Sequence, residues 1–107
     1  MVMVDSIYKY MDKYIKKYPI WKVHNKKFTL VPTGINDSFG YFLTTSMSFR
    51  VVQHQCKGKP TLNQIKIVSK KAKDFLFEHF KDLLQYIETI NYEDNCIDID
   101  ITIIYKE

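Results

Sequence analysis

Lysine is the residue through which this chain offers chemistry. Ser69-Lys70-Lys71-Ala72-Lys73 carries three ammonium groups within four residues, and Lys66 lies four residues before Lys70. From Lys57 to Lys73 there are six lysines and no carboxylate. A helix start in this stretch would add free backbone amides and the positive end of a helix dipole, both of which favour an anion. The chemistry implied is a grip on a polyanion by Lys66, Lys70, Lys71 and Lys73. Cations in a first helical turn oppose the dipole by roughly 0.3–1 kcal/mol, so stability alone would select Asp or Glu there. A binding role accounts for that departure, and a simple exposed turn tolerates it too.

Other reactive side chains form no catalytic set. Asp98 and Asp100 share one face of an expected strand, and such a pair can hold Mg²⁺ in nucleotidyl-transfer sites. A third carboxylate and a Gly-rich phosphate loop would be needed beside them, and the sequence has no such loop. Two solvated carboxylates guarding an edge strand is the plainer reading. His24, His54 and His79 are scattered, and His54-Gln55-Cys56 has no second ligand pair at finger spacing. No nucleophile elbow or triad signature is present. The expectation is a protein that is not an enzyme, with no cofactor and no metal. Cys56 and Cys96 read as buried thiols rather than a disulfide framework.

The net charge of +4 conceals a gradient. Residues 1–31 carry a balance of +5, residues 57–73 one of +6, and residues 74–107 one of −7. A basic front and an acidic back suit a solvated, dipolar surface that keeps a small protein soluble, and equally hint at a polyanion-facing one. The basic side is 15 Lys against one Arg. Lysine lacks the planar fork that reads guanine edges, so contact with phosphates by shape and charge is favoured over base recognition. The hydrophobic fraction of 46% with three Gly and three Pro describes a globular chain, one domain over 1–107. No apolar run approaches the roughly 20 residues of a membrane span. The N-terminus lacks the order of a secretory signal, so a cytoplasmic location is expected.

These groups must be held by elements. Asp5 or Ser6 caps a first helix whose apolar stripe is Ile7, Met11, Tyr14, Ile15 and Tyr18, with Lys9, Lys13, Lys16 and Lys17 on the other side and Pro19 as its end. Lys27 to Val31 reads as a strand closed by Pro32, and 33–38 as a turn. Residues 39–55 hold one bent strand or two. For 61–68 there are two readings. Thr61 with Gln64 forms a capping box that would open a helix of about 28 residues. Alternation of β-branched Ile65, Ile67 and Val68 suits a strand, hairpinned onto 47–55, and is the favoured reading. A second helix then runs from about Lys70 to Ile90. The last strand is plain: Ile97, Ile99, Ile101 and Ile103 on one face, Asp98, Asp100 and Thr102 on the other. The fold class is α+β, order α-β-β-β-α-β, a mostly antiparallel sheet with two helices packed on one face.

That order, with Ser69-Lys70-Lys71-Ala72-Lys73 opening the second helix, resembles the double-stranded-RNA-binding domain family. Phe28-Thr29-Leu30-Val31 resembles its first strand. Ala72 directly follows the lysine pair where the family has a spacer, and the family's loop histidine motif is replaced by Pro32-Thr33-Gly34-Ile35-Asn36. The resemblance implies that Lys70, Lys71 and Lys73 meet phosphates across a major groove. It also places the first-helix side with Lys9, Lys13 and Lys16 at a minor groove, reading A-form shape. The expected partner is structured RNA, double-stranded RNA favoured. The alternative is a host protein, bound by a small inhibitor or adaptor of viral or mobile-element type through tyrosines or the acidic third. Self-pairing of the C-terminal strand would give a homodimer.

Overall fold

A computed structural model describes residues 12, 15–38, 44–56 and 58–106. Five strands lie in chain order as β1 (Ile20–Val23), β2 (Lys26–Ser38), β3 (Thr44–Gln53), β4 (Leu83–Glu93) and β5 (Cys96–Lys106). A short 3-10 turn, His54–Cys56, follows β3, and the helix α1 (Leu62–His79) connects it to β4. The strands form one antiparallel sheet in the order β1-β2-β3-β5-β4. This overturns the expected order α-β-β-β-α-β with two helices: among the described residues there is one helix. Residue 12 lies in a turn and residues 15–18 are not helical; the other residues of the expected first helix lie outside the described residues.

Three local signals explain the difference. The capping box outweighs the β-branched run. Thr61 Oγ1 accepts from the Gln64 amide at 3.1 Å, and Gln64 Oε1 accepts from the Thr61 amide at 2.8 Å, so α1 starts at Leu62. Gln64 is buried, and its Nε2 donates to the Val23 carbonyl at 3.2 Å, which ties the helix start to β1. Ile65, Val68, Ala72 and Leu76 then recur at helical spacing and are buried against the sheet. The expected helix over 70–90 stops early, at His79, with Phe80 as its cap. Leu83, Ile87 and Ile90 fit a helical stripe, but Tyr86, Ile87, Thr89, Ile90 and Tyr92 are strand formers, and a complete strand, β5, is available to pair with them. Strand β2 runs on through Pro32, which needs no break there. β1 ends opposite Thr29, so this part of β2 is an edge, and the register slips between Pro32 and Gly34.

The core lies between α1 and one sheet face. Phe28 and Leu30 of β2, Met47, Phe49 and Val51 of β3, and Ile97, Ile99, Ile101 and Ile103 of β5 are all buried. The alternation expected of the last strand is present. Burying each such side chain stabilises by roughly 1.5–3 kcal/mol. Phe80 closes one end, 6.4 Å from the Phe49 ring and 5.0 Å from that of Tyr105, and Trp21 meets Phe75 edge-on at 6.2 Å. β5 is flanked on both sides, by β3 and β4, so it offers no edge for a homodimer and its aspartates guard none. The sheet's outer strands are β1 and β4. No described helix is long and apolar enough to cross a membrane.

Candidate polyanion-binding site

The helix lysines do not form the expected cluster at a helix start. Because α1 begins at Leu62, Lys70, Lys71 and Lys73 sit more than two turns inside it, beyond reach of the N-terminal amides. Lys70 is paired with Asp74 at 2.8 Å. The Lys73 ammonium rests over two rings, 5.5 Å from the centre of Tyr86 and 5.8 Å from that of Phe77. Lys71 is turned roughly 100° around the helix from Lys70. Lys66 is exposed on α1 and Lys16 is exposed before β1, while Lys9 and Lys13 lie outside the described residues.

A different basic set converges at one end of the sheet. The two-residue turn His24-Asn25 joins β1 to β2, and His24 takes the positive φ of 58° that tight hairpin turns use. The register places Lys22 directly opposite Lys27. Counting along β2 by twos from buried Phe28 and Leu30, Lys27 and Thr29 belong to the face that α1 does not cover. Like charges opposed across a strand pair destabilise a sheet. Thr29 Oγ1 hydrogen-bonds His54 Nε2, bringing the turn after β3 against the same face. Lys22, Asn25, Lys26, Lys27, Gln53, His54 and Gln55 thus line a concavity of about 410 Å³ with three lysines and no carboxylate.

The wall formed by residues 53–56 is held in an unusual conformation. Gln55 and Cys56 have φ values of 60° and 23°, a left-handed region that costs a non-glycine residue roughly 1 kcal/mol or more. Gln53 is buried and its Nε2 donates to the Gly58 carbonyl at 3.0 Å, while its Oε1 has no hydrogen-bond partner among the described residues. Cys56 and Cys96 are joined in a disulfide, contrary to the expectation of two buried thiols. They are 40 residues apart in sequence, but Val52 pairs with Asp98, so the end of β3 and the start of β5 are neighbours. Cys56 is exposed, and both sulfurs lie against the Gln53 carbonyl oxygen, at 3.8 and 3.9 Å.

Of the Asp98–Asp100 pair, Asp100 is internally engaged. Asp100 accepts from Arg50 Nε at 2.7 Å and from Asn91, and this contact holds the Arg50 guanidinium above its ordinary pKa. Its oxygens are therefore committed to protein partners. His79 Nδ1 lies 2.9 Å from the Phe75 carbonyl oxygen and its ring stacks on Phe75. Among the described residues no three His, Cys, Asp or Glu side chains gather as metal ligands. Sequence reading missed Lys22, Lys26, Lys27 and His54. The signal was present: His24-Asn25 between Trp21-Lys22-Val23 and Lys27-Phe28-Thr29 is a two-residue hairpin turn, which brings the flanking lysines face to face. No family model matches the chain, and no curated protein or solved structure matches it.

Proposed function

We propose that this protein is a non-catalytic nucleic-acid-binding module that holds the phosphate backbone of structured RNA in the basic concavity at the end of its sheet. The observation that supports this reading is the Lys22–Lys27 opposition, a like-charge pair kept across a strand ladder beside Lys26 with no carboxylate in the lining. Each ammonium is a point charge suited to a phosphate oxygen and indifferent to base identity. His54, Asn25 and Gln55 add donors along the rim. Lys66 and Lys71, exposed on α1, supply accessory charge. The cytoplasm is the proposed compartment.

The test is a mobility-shift comparison of double-stranded RNA, double-stranded DNA and single strands at about 50 and 200 mM salt. Affinity is expected to fall by orders of magnitude between the two, with double-stranded RNA bound tightest. Replacing Lys22 and Lys27 together by Ala should flatten the log–log salt slope by about 2, one phosphate contact each. Replacing Lys70 and Lys73 should change it less, since both are already engaged. An unaltered slope in the first variant, or salt-insensitive binding, rejects the reading.

A second reading is a protein-binding inhibitor or adaptor. The outer strand β4 favours it, with Leu84 61%, Ile87 43% and Tyr92 58% exposed. Retention of one stoichiometric protein partner after nuclease treatment would select it over RNA binding.

A further inference from the structure

We propose that the Cys56–Cys96 disulfide is a redox gate on the basic concavity, the oxidised protein being the form that binds the polyanion. This rests on the site reading above and adds its regulation. Three independent features meet at one turn. Gln53, His54 and Gln55 form one wall of the concavity, and Cys56 follows them directly. Gln55 and Cys56 hold left-handed φ values that a non-glycine residue leaves unless its surroundings fix it. The bond to Cys96 supplies that fixing, because it anchors the turn to the start of β5 in the middle of the sheet. With the bond open, the positive-φ turn is tethered by side-chain contacts alone, Gln53 to Gly58 and His54 to Thr29. The turn then relaxes, the exposed His54–Thr29 contact breaks, and the lysines lose the wall that makes their surface concave.

The exposed Cys56 makes the bond accessible to a small dithiol or to a glutathione-class thiol. A thiolate attacks Cys56 Sγ, the Sγ–Sγ bond breaks, and Cys96 leaves as a thiolate that takes up a proton. A second thiolate, from the same dithiol or from a second glutathione-class molecule, then attacks the reductant's sulfur in the mixed disulfide and releases Cys56, which is protonated in turn. The reductant ends as its own disulfide, oxidised by two electrons, and the protein gains two thiols. Disulfides are rare in reducing compartments except where they act as redox sensors, which is the role assigned here.

The experiment titrates a fluorescein-labelled double-stranded RNA oligonucleotide with the full chain at constant salt, before and after dithiothreitol and after reoxidation. Hydrogen exchange is followed in parallel. A loss of affinity of tenfold or more on reduction, restored on reoxidation, is the expected result. Exchange should quicken at residues 53–58 and 22–29 while α1 and the centre of β3 and β5 stay protected. A Cys56→Ser/Cys96→Ser double variant should bind like the reduced protein and ignore dithiothreitol. Equal affinity in both states overturns the gate and leaves the site standing. No binding in either state removes the site and the gate together. Loss of protection throughout α1 and the sheet on reduction also overturns it, because the bond would then be holding the fold rather than the turn.

Discussion

Gln64 shows how one side chain connects sequence-local and long-range structure. It closes the capping box with Thr61 and reaches the Val23 carbonyl from a buried position. Thr61→Ala should lower stability by about 1 kcal/mol through loss of a cap. Gln64→Ala should cost more, about 2–3 kcal/mol, since it removes one half of the capping box together with the buried bond to the Val23 carbonyl. Urea midpoints check both, and equal costs would mean that the Val23 contact contributes nothing. Tyr86 adds a pH dependence. Burial foremost, then the Glu88 charge and the hydrogen bond donated to Glu88 at 3.0 Å, push its phenol pKa well above the usual value of 10. The folded state therefore holds this proton more tightly than the unfolded chain. The contribution is fully present below pH 10 and is lost as pH rises through the folded pKa. Tyr86→Phe should flatten the fall in unfolding free energy above pH 10, and an unchanged profile would assign that fall to other tyrosines.

The β1–β2 hairpin is the element on which the proposed function turns. Opposite charge in place of the Lys22–Lys27 pair should strengthen the ladder by roughly 0.2–1 kcal/mol. Lys22→Glu is thus expected to raise the urea midpoint while weakening RNA binding. A fall in both would show that Lys22 packs rather than repels, and would remove the reason for reading the pair as functional. The α1 lysines behave differently because their element satisfies them: Asp74 is one turn from Lys70, and Phe77 one turn from Lys73. Their spacing looked like a binding motif, yet the same spacing sets up pairing within the helix. The helix start also changed which lysines could use the dipole, because the Thr61–Gln64 cap moved it two turns upstream of Lys70.

At the scale of the molecule, the sheet order places β5 between β3 and β4, and this determines both the core and the covalent bond. Closing the 40-residue separation between Cys56 and Cys96 is worth about 4 kcal/mol in a chain-entropy account. Reduction should shift the unfolding free energy by a comparable amount, measured in urea with and without dithiothreitol. A shift under about 1 kcal/mol would mean that the unfolded chain gains little freedom from the open bond. A small domain's stability of about 5–15 kcal/mol leaves a folded reduced state on which the gate can act. What the residues alone carried is local in origin. The Ile alternation of β5, the predominance of lysine among the cations and the Thr61–Gln64 capping box, which sequence reading sets aside in favour of a strand, all depend on neighbours within a few positions. The pairing of Lys22 with Lys27, the approach of His54 to Thr29, the Cys56–Cys96 bond and the strand state of 83–93 were decided by the folded sheet. Periodicity specifies which face of an element is apolar, but it leaves open which distant strand that face will lie beside. Strand registers couple residues far apart in the chain, so they are settled only when the whole core closes.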